Sequence, residues 1–559
     1  MPNPEKADLV ALSVLSAVIA HHIFRRHETY SLRVHAVLIF VPPALVATLV
    51  ASRPERGWTY SSAFVKSLAT YVISLLASIV VYRLSPWHPL ARYPGPPLRR
   101  ATEFVGAYYA ATGRKATAID ALHKQYGSVV RIGPNTLSII DPTAMPKLWN
   151  VSRGPWNIGI KMSYKNLTMM GLRDPEEHAL RRRPWNRGLN QTAIKEYEHP
   201  LTARVQLLVR RLEEQKGEVD LSKWMGMFSM DFMCDMAFGG GIELLRDGEH
   251  TNPFRMLQRG MSIASVFTVI PWFAVYLGHM PGTGWALRSL HTTARTFAAK
   301  RLQRGSSTRD LFHYLNNEDL SDVPPPPKQH LIGDAILAIV AGSDTTANAL
   351  VSIFYCILAN PATYTALQTE IDKFYSSNDD PCNTRHYQDM HYLHAVINEA
   401  LRLYNPTNLG GQRQVPPHGP PVIAGSLVLP PGTIFYMPPF SSNRDPHYFS
   451  FPSAFWPERW LIASGHIDFD SKEARVPGTL TKDEFVHNEA AFVSFGLGPI
   501  GCVGKALATL EMRMVVSALL HKFDFRLRDG WDPNEYNTVM REYINLTTPA
   551  LPVVLKARW

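Results

Sequence analysis

Hydrophobic and polar positions divide the chain into two regimes. Before about residue 90, three nearly unbroken apolar stretches occupy 9–24, 34–51 and 64–84. The third is the best-formed membrane span. It carries no charge from Ser67 to Tyr82, and the long side chains of Lys66 and Arg83 at its ends can reach polar surroundings. The first stretch is shorter and has His21 and His22 near its end, and the second contains Pro42 and Pro43. A cleaved leader is the competing reading of 9–24. Two further apolar stretches follow it and no clean small-residue cleavage site is apparent, so a retained anchor of one to three spans over residues 1–90 is predicted.

Beyond residue 100 the periodicity changes to that of a helical globular domain. Val129 to Ile140 reads as two short strands around a Gly133-Pro134-Asn135 turn. Four prolines at 324–327 stop one element and precede a long helix predicted over 329–358. Strand-like pieces return at 422–429 and 552–555. No Gly/Ser linker or repeat divides the chain after residue 100, so residues 101–559 are read as one large domain, mainly α with small β-sheets. The 46% hydrophobic content is ordinary for a globular protein, and much of the apolar excess sits in the first hundred residues.

Candidate chemistry concentrates at Phe495-Gly496-Leu497-Gly498-Pro499-Ile500-Gly501-Cys502-Val503-Gly504. Three glycines and a proline before Cys502 let the backbone fold tightly and approach a flat cofactor closely. Gly504 lets a helix begin behind the sulfur. Ala508, Met512, Val515 and Leu519 supply that helix's apolar face, and its N-terminus favours a thiolate. The other cysteines, Cys234, Cys356 and Cys382, read as small buried hydrophobes. Four cysteines without paired spacing argue against a disulfide scaffold or a zinc site, and for a reducing, cytosol-facing environment.

The cysteine loop resembles the haem-ligand signature of the cytochrome P-450 monooxygenases, and three further motifs occur in that family's order. They are Ala341-Gly342-Ser343-Asp344-Thr345-Thr346, Glu399-Ala400-Leu401-Arg402 and Phe455-Trp456-Pro457-Glu458-Arg459-Trp460. The resemblance covers about residues 90 to 559 and implies the P-450 fold behind an N-terminal transmembrane anchor. Tyr93-Pro94-Gly95-Pro96-Pro97, within 91–100, resembles the family's proline-rich hinge.

The resemblance also implies roles. Cys502 would be the axial thiolate ligand of a haem b iron, with Phe495 and Gly504 beside it. Asp344 and Thr345 would be the acid and alcohol that deliver protons to bound dioxygen, within a helix opened locally by small residues such as Gly342. Glu399, Arg402 and Arg459 would form a buried structural ion network. His178, Arg182 and Arg413 would meet the haem propionates. One position departs from the pattern: Ile500 stands where relatives usually carry Arg or His, so one propionate contact must be made elsewhere or omitted.

The net charge of +10 admits two explanations, an anionic membrane surface and an acidic electron donor docking near Lys505 and Arg513. The expected partners are an NADPH-cytochrome reductase, a cytochrome b5 as a further donor, the membrane and a lipophilic small molecule. Nothing points to nucleic acid. Segment 261–277, with Phe267, Trp272, Phe273 and Tyr276, is expected to be a lid at the membrane surface, because a span there would split one haem site across the bilayer. The expected location is the endoplasmic reticulum membrane with the catalytic domain in the cytosol. The motifs look fungal, which suggests secondary metabolism, with a terpenoid as candidate substrate. The competing readings are a haem-thiolate isomerase or dehydratase and a non-catalytic haem sensor. Glycosylation patterns at Asn150, Asn166, Asn190 and Asn545 are read as accidental.

Overall fold

The computed structural model describes residues 4–27, 29–52, 58–161, 168–248, 253–280, 282, 285–305 and 309–559. Asn166 lies outside them. Each apolar stretch at the N-terminus forms a helix long and apolar enough to cross a membrane: Pro4–Arg26, Leu32–Ala51 and Tyr60–Leu84. The three pack on one another through small residues, with Ala17, Ala47, Ala63 and Ser67 fully buried between them. Ser13 Oγ meets Ser67 Oγ at 2.9 Å, and His21 Nδ1 meets Ser78 Oγ at 2.6 Å. Large apolar side chains such as Leu15, Leu45, Val65 and Ile73 face outward, an arrangement that suits lipid and not water.

The predicted hinge is firmly held. Pro94 O accepts from Arg131 N at 2.7 Å, and a Cβ at Gly95 would lie 2.2 Å from the Arg131 carbonyl oxygen, so only glycine permits this approach. Arg92 Nη2 and Tyr93 Oη both donate to Val428 O, at 2.6 and 2.8 Å. Arg131 Nη2 also donates to Arg83 O at 3.0 Å, which ties the end of the third apolar helix to the sheet.

The first predicted strand pair forms as Val129–Arg131 and Thr136–Ile139, antiparallel. It extends through a parallel pairing with Ile434–Tyr436 to the edge strand Arg413–Gln414, giving a four-stranded sheet. Val422–Ala424 and Leu427–Leu429 form a hairpin, and Pro552–Ala557 pairs with Glu218–Asp220 and Phe523–Leu527. Arg541–Glu542 and Leu546–Thr547 form a second hairpin, and the other long elements among the described residues are helical. The core is centred on the long helix Lys328–Leu358, which packs along the methionine-rich helix Leu221–Phe238. Although Lys328–Leu358 is apolar enough for a span, it is buried inside the fold.

Segment 261–277 resolves into two helices, Pro253–Val269 and Pro271–Gly278, broken where Ile270 leaves helical geometry before Pro271. Both pack on the short helix Trp156–Lys161. A Cβ at Gly159 would sit 1.9 Å from Phe267 O, so glycine is what allows the contact. Trp272 and Phe273 remain about two-fifths exposed. Tyr276 Oη bonds His35 Nδ1 of the second apolar helix, so this segment touches the N-terminal bundle.

Candidate active site

The cysteine loop follows from its glycines. Gly496 and Gly498 adopt φ of +66° and +68°, conformations that a side chain would strain. The turn closes with Gly501 N donating to Gly498 O at 3.1 Å and Cys502 N donating to Phe495 O at 2.8 Å. Gly504 then caps the helix Lys505–Lys522, as the apolar spacing predicts. The Cys502 side chain is exposed, unlike those of Cys234, Cys356 and Cys382. Protein nevertheless surrounds it closely: burial raises its thiol pKa, while the Gly504 N–H, Arg182 and Lys505 act in the opposite sense and favour the thiolate.

Beside the sulfur lies a set of basic side chains that have no carboxylate partner among the described residues. Helix Pro175–Gly188 starts with Asp174 accepting from Glu177 N at 2.8 Å and with Pro175 at its first position, and it carries His178 and Arg182 one turn apart on the same face. Arg413 comes from the edge strand, where it stacks on Trp149 with 4.7 Å between guanidinium and ring. Opposite it, as an antiparallel bridge partner, stands Arg153. Cross-strand partners project to one side, so this short bridge adds a further cation to the cluster. Arg153 Nη2 donates to the carbonyl of Ile500 at 3.4 Å.

The electrostatics of this cluster suit an anion. Burial lowers Arg413 to about 9, helped by Arg153, and lowers Arg153 to about 10, helped by Arg182. His178 falls to about 4 through burial and through Arg153, Arg182 and Arg413. Arg413 Nε and Nη1, Arg153 Nε, His178 Nε2 and Trp156 Nε1 are buried with no hydrogen-bond partner among the described residues. Collecting like charges and orphaned donors is costly unless a multiply charged acceptor joins them. The two carboxylates of a haem fit this cradle, with the Cys502 sulfur as the adjacent metal donor. Arg153 escaped the sequence reading because it belongs to no motif; only its strand pairing brings it to Ile500.

The acid and alcohol sit near the middle of Lys328–Leu358. Ser343, Asp344 and Thr346 are buried, while Thr345 is partly exposed. The expected local opening of the helix is not present. Helical geometry continues through the motif, and the hydroxyls of Ser343 and Thr345 donate to Ile339 O and Ala341 O, each at 2.6 Å. Gly342 serves packing instead, since a Cβ there would approach Met233 Sδ to 2.5 Å. Asp344 Oδ2 accepts from Asn545 Nδ2 at 2.8 Å, and Oδ1 accepts from Asn348 Nδ2 at 3.1 Å. Burial raises the Asp344 carboxyl to about 6 against the lowering effect of these two amides. Asn545 therefore enters the site, and it is too buried to be a glycan acceptor. Asn190 is engaged as a helix cap and Asn150 donates to Pro146 O.

Glu399, Arg402 and Arg459 are fully buried and joined. Arg402 grips Glu399 with two nitrogens, at 2.8 and 2.9 Å, and Arg459 Nε adds a bond of 3.1 Å. Trp456 N and Trp460 Nε1 donate as well, at 2.9 and 3.0 Å. The remaining guanidinium donors reach carbonyls of Asn443, Pro452, Ala454, Ser450 and Phe451. Burial alone would raise the Glu399 carboxyl, but the two arginines dominate and hold it at about 2.

The chain is similar to known proteins over most of its length. The cytochrome P450 family model matches residues 96–556. Cytochrome P450 monooxygenase FCK2 of Fusarium pseudograminearum is 33% identical over 98% of this chain and 97% of its own length. Tryprostatin B 6-hydroxylase of Neosartorya fischeri is 28% identical over the full length of both chains. Cytochrome P450 monooxygenase nodW of Hypoxylon pulicicidum is 30% identical over 93% of each.

Proposed function

Because this chain belongs to the cytochrome P450 family and is a monooxygenase, we propose that it inserts one atom of O2 into a lipophilic small molecule of fungal secondary metabolism, with electrons from NADPH passed through a reductase. The observation that carries this reading is the cradle of basic side chains with orphaned buried donors beside the Cys502 sulfur. The family's cofactor is haem b, which supplies the oxidant capable of attacking unactivated C–H bonds once iron and thiolate are joined. We assign Cys502 as its axial ligand. Phe495 and Gly504 shape the sulfur's surroundings, and His178, Arg182, Arg413 and Arg153 hold the propionates. Asp344 and Thr345 move protons, and Glu399, Arg402 and Arg459 brace the core.

The division of the chain into an anchor over 1–90, a hinge over 91–100 and a catalytic domain over 101–559 belongs to this proposal. So does residence in the endoplasmic reticulum membrane with the catalytic domain in the cytosol. The apolar helices and the outward-facing Trp272 and Phe273 support entry of substrate from the bilayer. Lys505, exposed beside the cysteine loop, supports docking of an acidic reductase, with the partly buried Arg513 further along the same helix and a cytochrome b5 as second donor. A relative named for 6-hydroxylation of tryprostatin B supports hydroxylation as the reaction type. The test is expression with a reductase and mass spectrometry of products from a panel of lipophilic metabolites, terpenoids among them, under labelled O2. Products that carry one labelled oxygen support the reading, and O2-independent rearrangement products overturn it.

Two predictions concern single residues. Thr345→Ala is expected to keep NADPH consumption but divert it to peroxide, lowering product per NADPH by about a hundredfold, the low end of a positioned proton donor's effect. Equal coupling in variant and wild type would remove Thr345 from the proton route. Arg153→Leu is expected to speed transfer of haem to an apoprotein acceptor by about tenfold, the loss of one charge-assisted bond. Adding Ile500→Arg to that variant should restore retention, because it returns a cation to the position the loop lacks. Haem loss at the wild-type rate in Arg153→Leu would exclude the substitution of one cation for the other.

A further inference from the structure

Asp344 is gripped entirely by amides, and the grip originates in the C-terminal hairpin. Strands Arg541–Glu542 and Leu546–Thr547 pair antiparallel, and the connecting residues place Asn545 against Lys328–Leu358. Leu546 N donates to Pro406 O at 2.7 Å, which fixes the hairpin. Asn545 Nδ2 donates to Asp344 Oδ2 at 2.8 Å. Asn348, one turn after Asp344, donates to Oδ1 at 3.1 Å and to the Asp344 carbonyl at 2.7 Å. The amide orientation of Asn348 is itself set from the hairpin side, because Thr548 N and Oγ1 donate to Asn348 Oδ1 at 3.2 and 2.8 Å. With its oxygen committed to Thr548, Asn348 can offer only its NH2 group to the acid.

We propose that Asn545, together with Asn348 as oriented by Thr548, is a positioning device that holds the Asp344 carboxyl and fixes its ionisation for proton delivery. The inference rests on the monooxygenase reading above.

Charges do not perform this task. On Leu221–Phe238, Asp231 and Asp235 turn to Arg204. On His391–Leu403, Glu399 is taken up by Arg402 and Arg459. On Trp285–Arg304, Arg301 pairs with Asp310. On Pro361–Phe374, Glu370 accepts from the backbone of Tyr392 and Leu393. In the hairpin Glu542 feels Lys115, and on Lys505–Lys522 Glu511 is shifted by burial. On Phe523–Leu527, Asp524 accepts from Gln368. The influences on Asp344 are burial, which raises its pKa, and the two amides, which lower it. Two neutral donors stabilise the carboxylate without neutralising it, so the acid can take a proton from water and pass it on. A paired arginine would hold it ionised too firmly for that.

Removing a donor destabilises the carboxylate, so its pKa rises and a larger fraction is already protonated at neutral pH. The acidic limb of the coupling profile should then move to higher pH. Asn545→Leu removes the donor at similar volume, and Thr548→Val removes the hydroxyl that orients Asn348 while keeping its shape. Product formed per NADPH consumed is measured across the neutral range, together with the carbon-monoxide difference spectrum. The expected result is an unchanged spectrum with the inflection moved up by about one pH unit, the scale of losing one hydrogen bond to a buried carboxylate. Thr548→Val carries the test if Asn545→Leu does not retain haem. A profile superimposable on wild type overturns the inference, whereas a wild-type chain without O2-dependent NADPH use overturns the functional reading beneath it.

Discussion

Cys502→Ala expressed with its reductase is expected to show no Soret band of the reduced, carbon-monoxide-bound thiolate type and no O2-dependent turnover. Among the described cysteines it alone is exposed; Cys234 and Cys356 lie in the hydrophobic core, and burial pushes their thiols far above the ordinary range. Cys382 is buried as well. No other thiol can take over the iron. The substitution removes few packing contacts, because the glycine loop is closed by backbone bonds from Gly501 and Cys502 that alanine preserves. Fold and haem uptake can therefore be separated, by comparing the far-ultraviolet circular dichroism of the variant with its difference spectrum. Native secondary structure with an unaltered carbon-monoxide band would sink the assignment.

Glu399→Gln is expected to be the most destabilising single-atom change in the globular domain. It removes a charge that two fully buried guanidinium groups share, and a buried pair broken on one side costs roughly 3 to 5 kcal/mol. The pH dependence has a definite sign. The Glu399 carboxyl is held at about 2, below its ordinary 4.5, so its stabilising contribution is complete above about 4.5 and is lost as pH falls through about 2. That depression corresponds to roughly 3 kcal/mol at about 1.4 kcal/mol per unit. Thermal unfolding in detergent should show a large downward shift for Glu399→Gln at neutral pH, and the gap between variant and wild type should shrink as the solution is acidified. A gap that stays constant into strong acid would mean that the ion pairs contribute little. Arg402→Lys should also destabilise, because one ammonium cannot reach both carboxylate oxygens and the carbonyls of Asn443, Pro452 and Ala454.

The parts of this protein that could be read in advance are those in which neighbours along the chain determine the outcome. The glycine spacing before Cys502 required a tight loop, and the apolar spacing after it required a helix. The uncharged run from Ser67 to Tyr82 required a long apolar helix, and Gly133-Pro134-Asn135 required a turn between two strands. The helix carrying His178 and Arg182 was implied by the family resemblance, and its start at Asp174 and Pro175 emerged in the structure.

Tertiary structure decided what these groups meet. Arg153 lies far from the cysteine loop in sequence, and only its bridge with Arg413 brings a guanidinium to the Ile500 carbonyl. Asn545 looked like a stray glycosylation pattern until the C-terminal hairpin carried it to Asp344, about two hundred residues away. The helix through Ala341–Thr346 stayed regular although the Ser343 and Thr345 hydroxyls bond back onto its carbonyls, and Gly342 leaves room for Met233 on another helix. By itself, the sequence determined the tight cysteine loop, the motifs and the apolar helices, because local backbone preference and apolar periodicity act over a few residues. The partners of the charged and polar groups were decided only in the folded chain, because burial makes an unpaired donor or charge expensive and the fold must satisfy it from whatever strand or helix lies near.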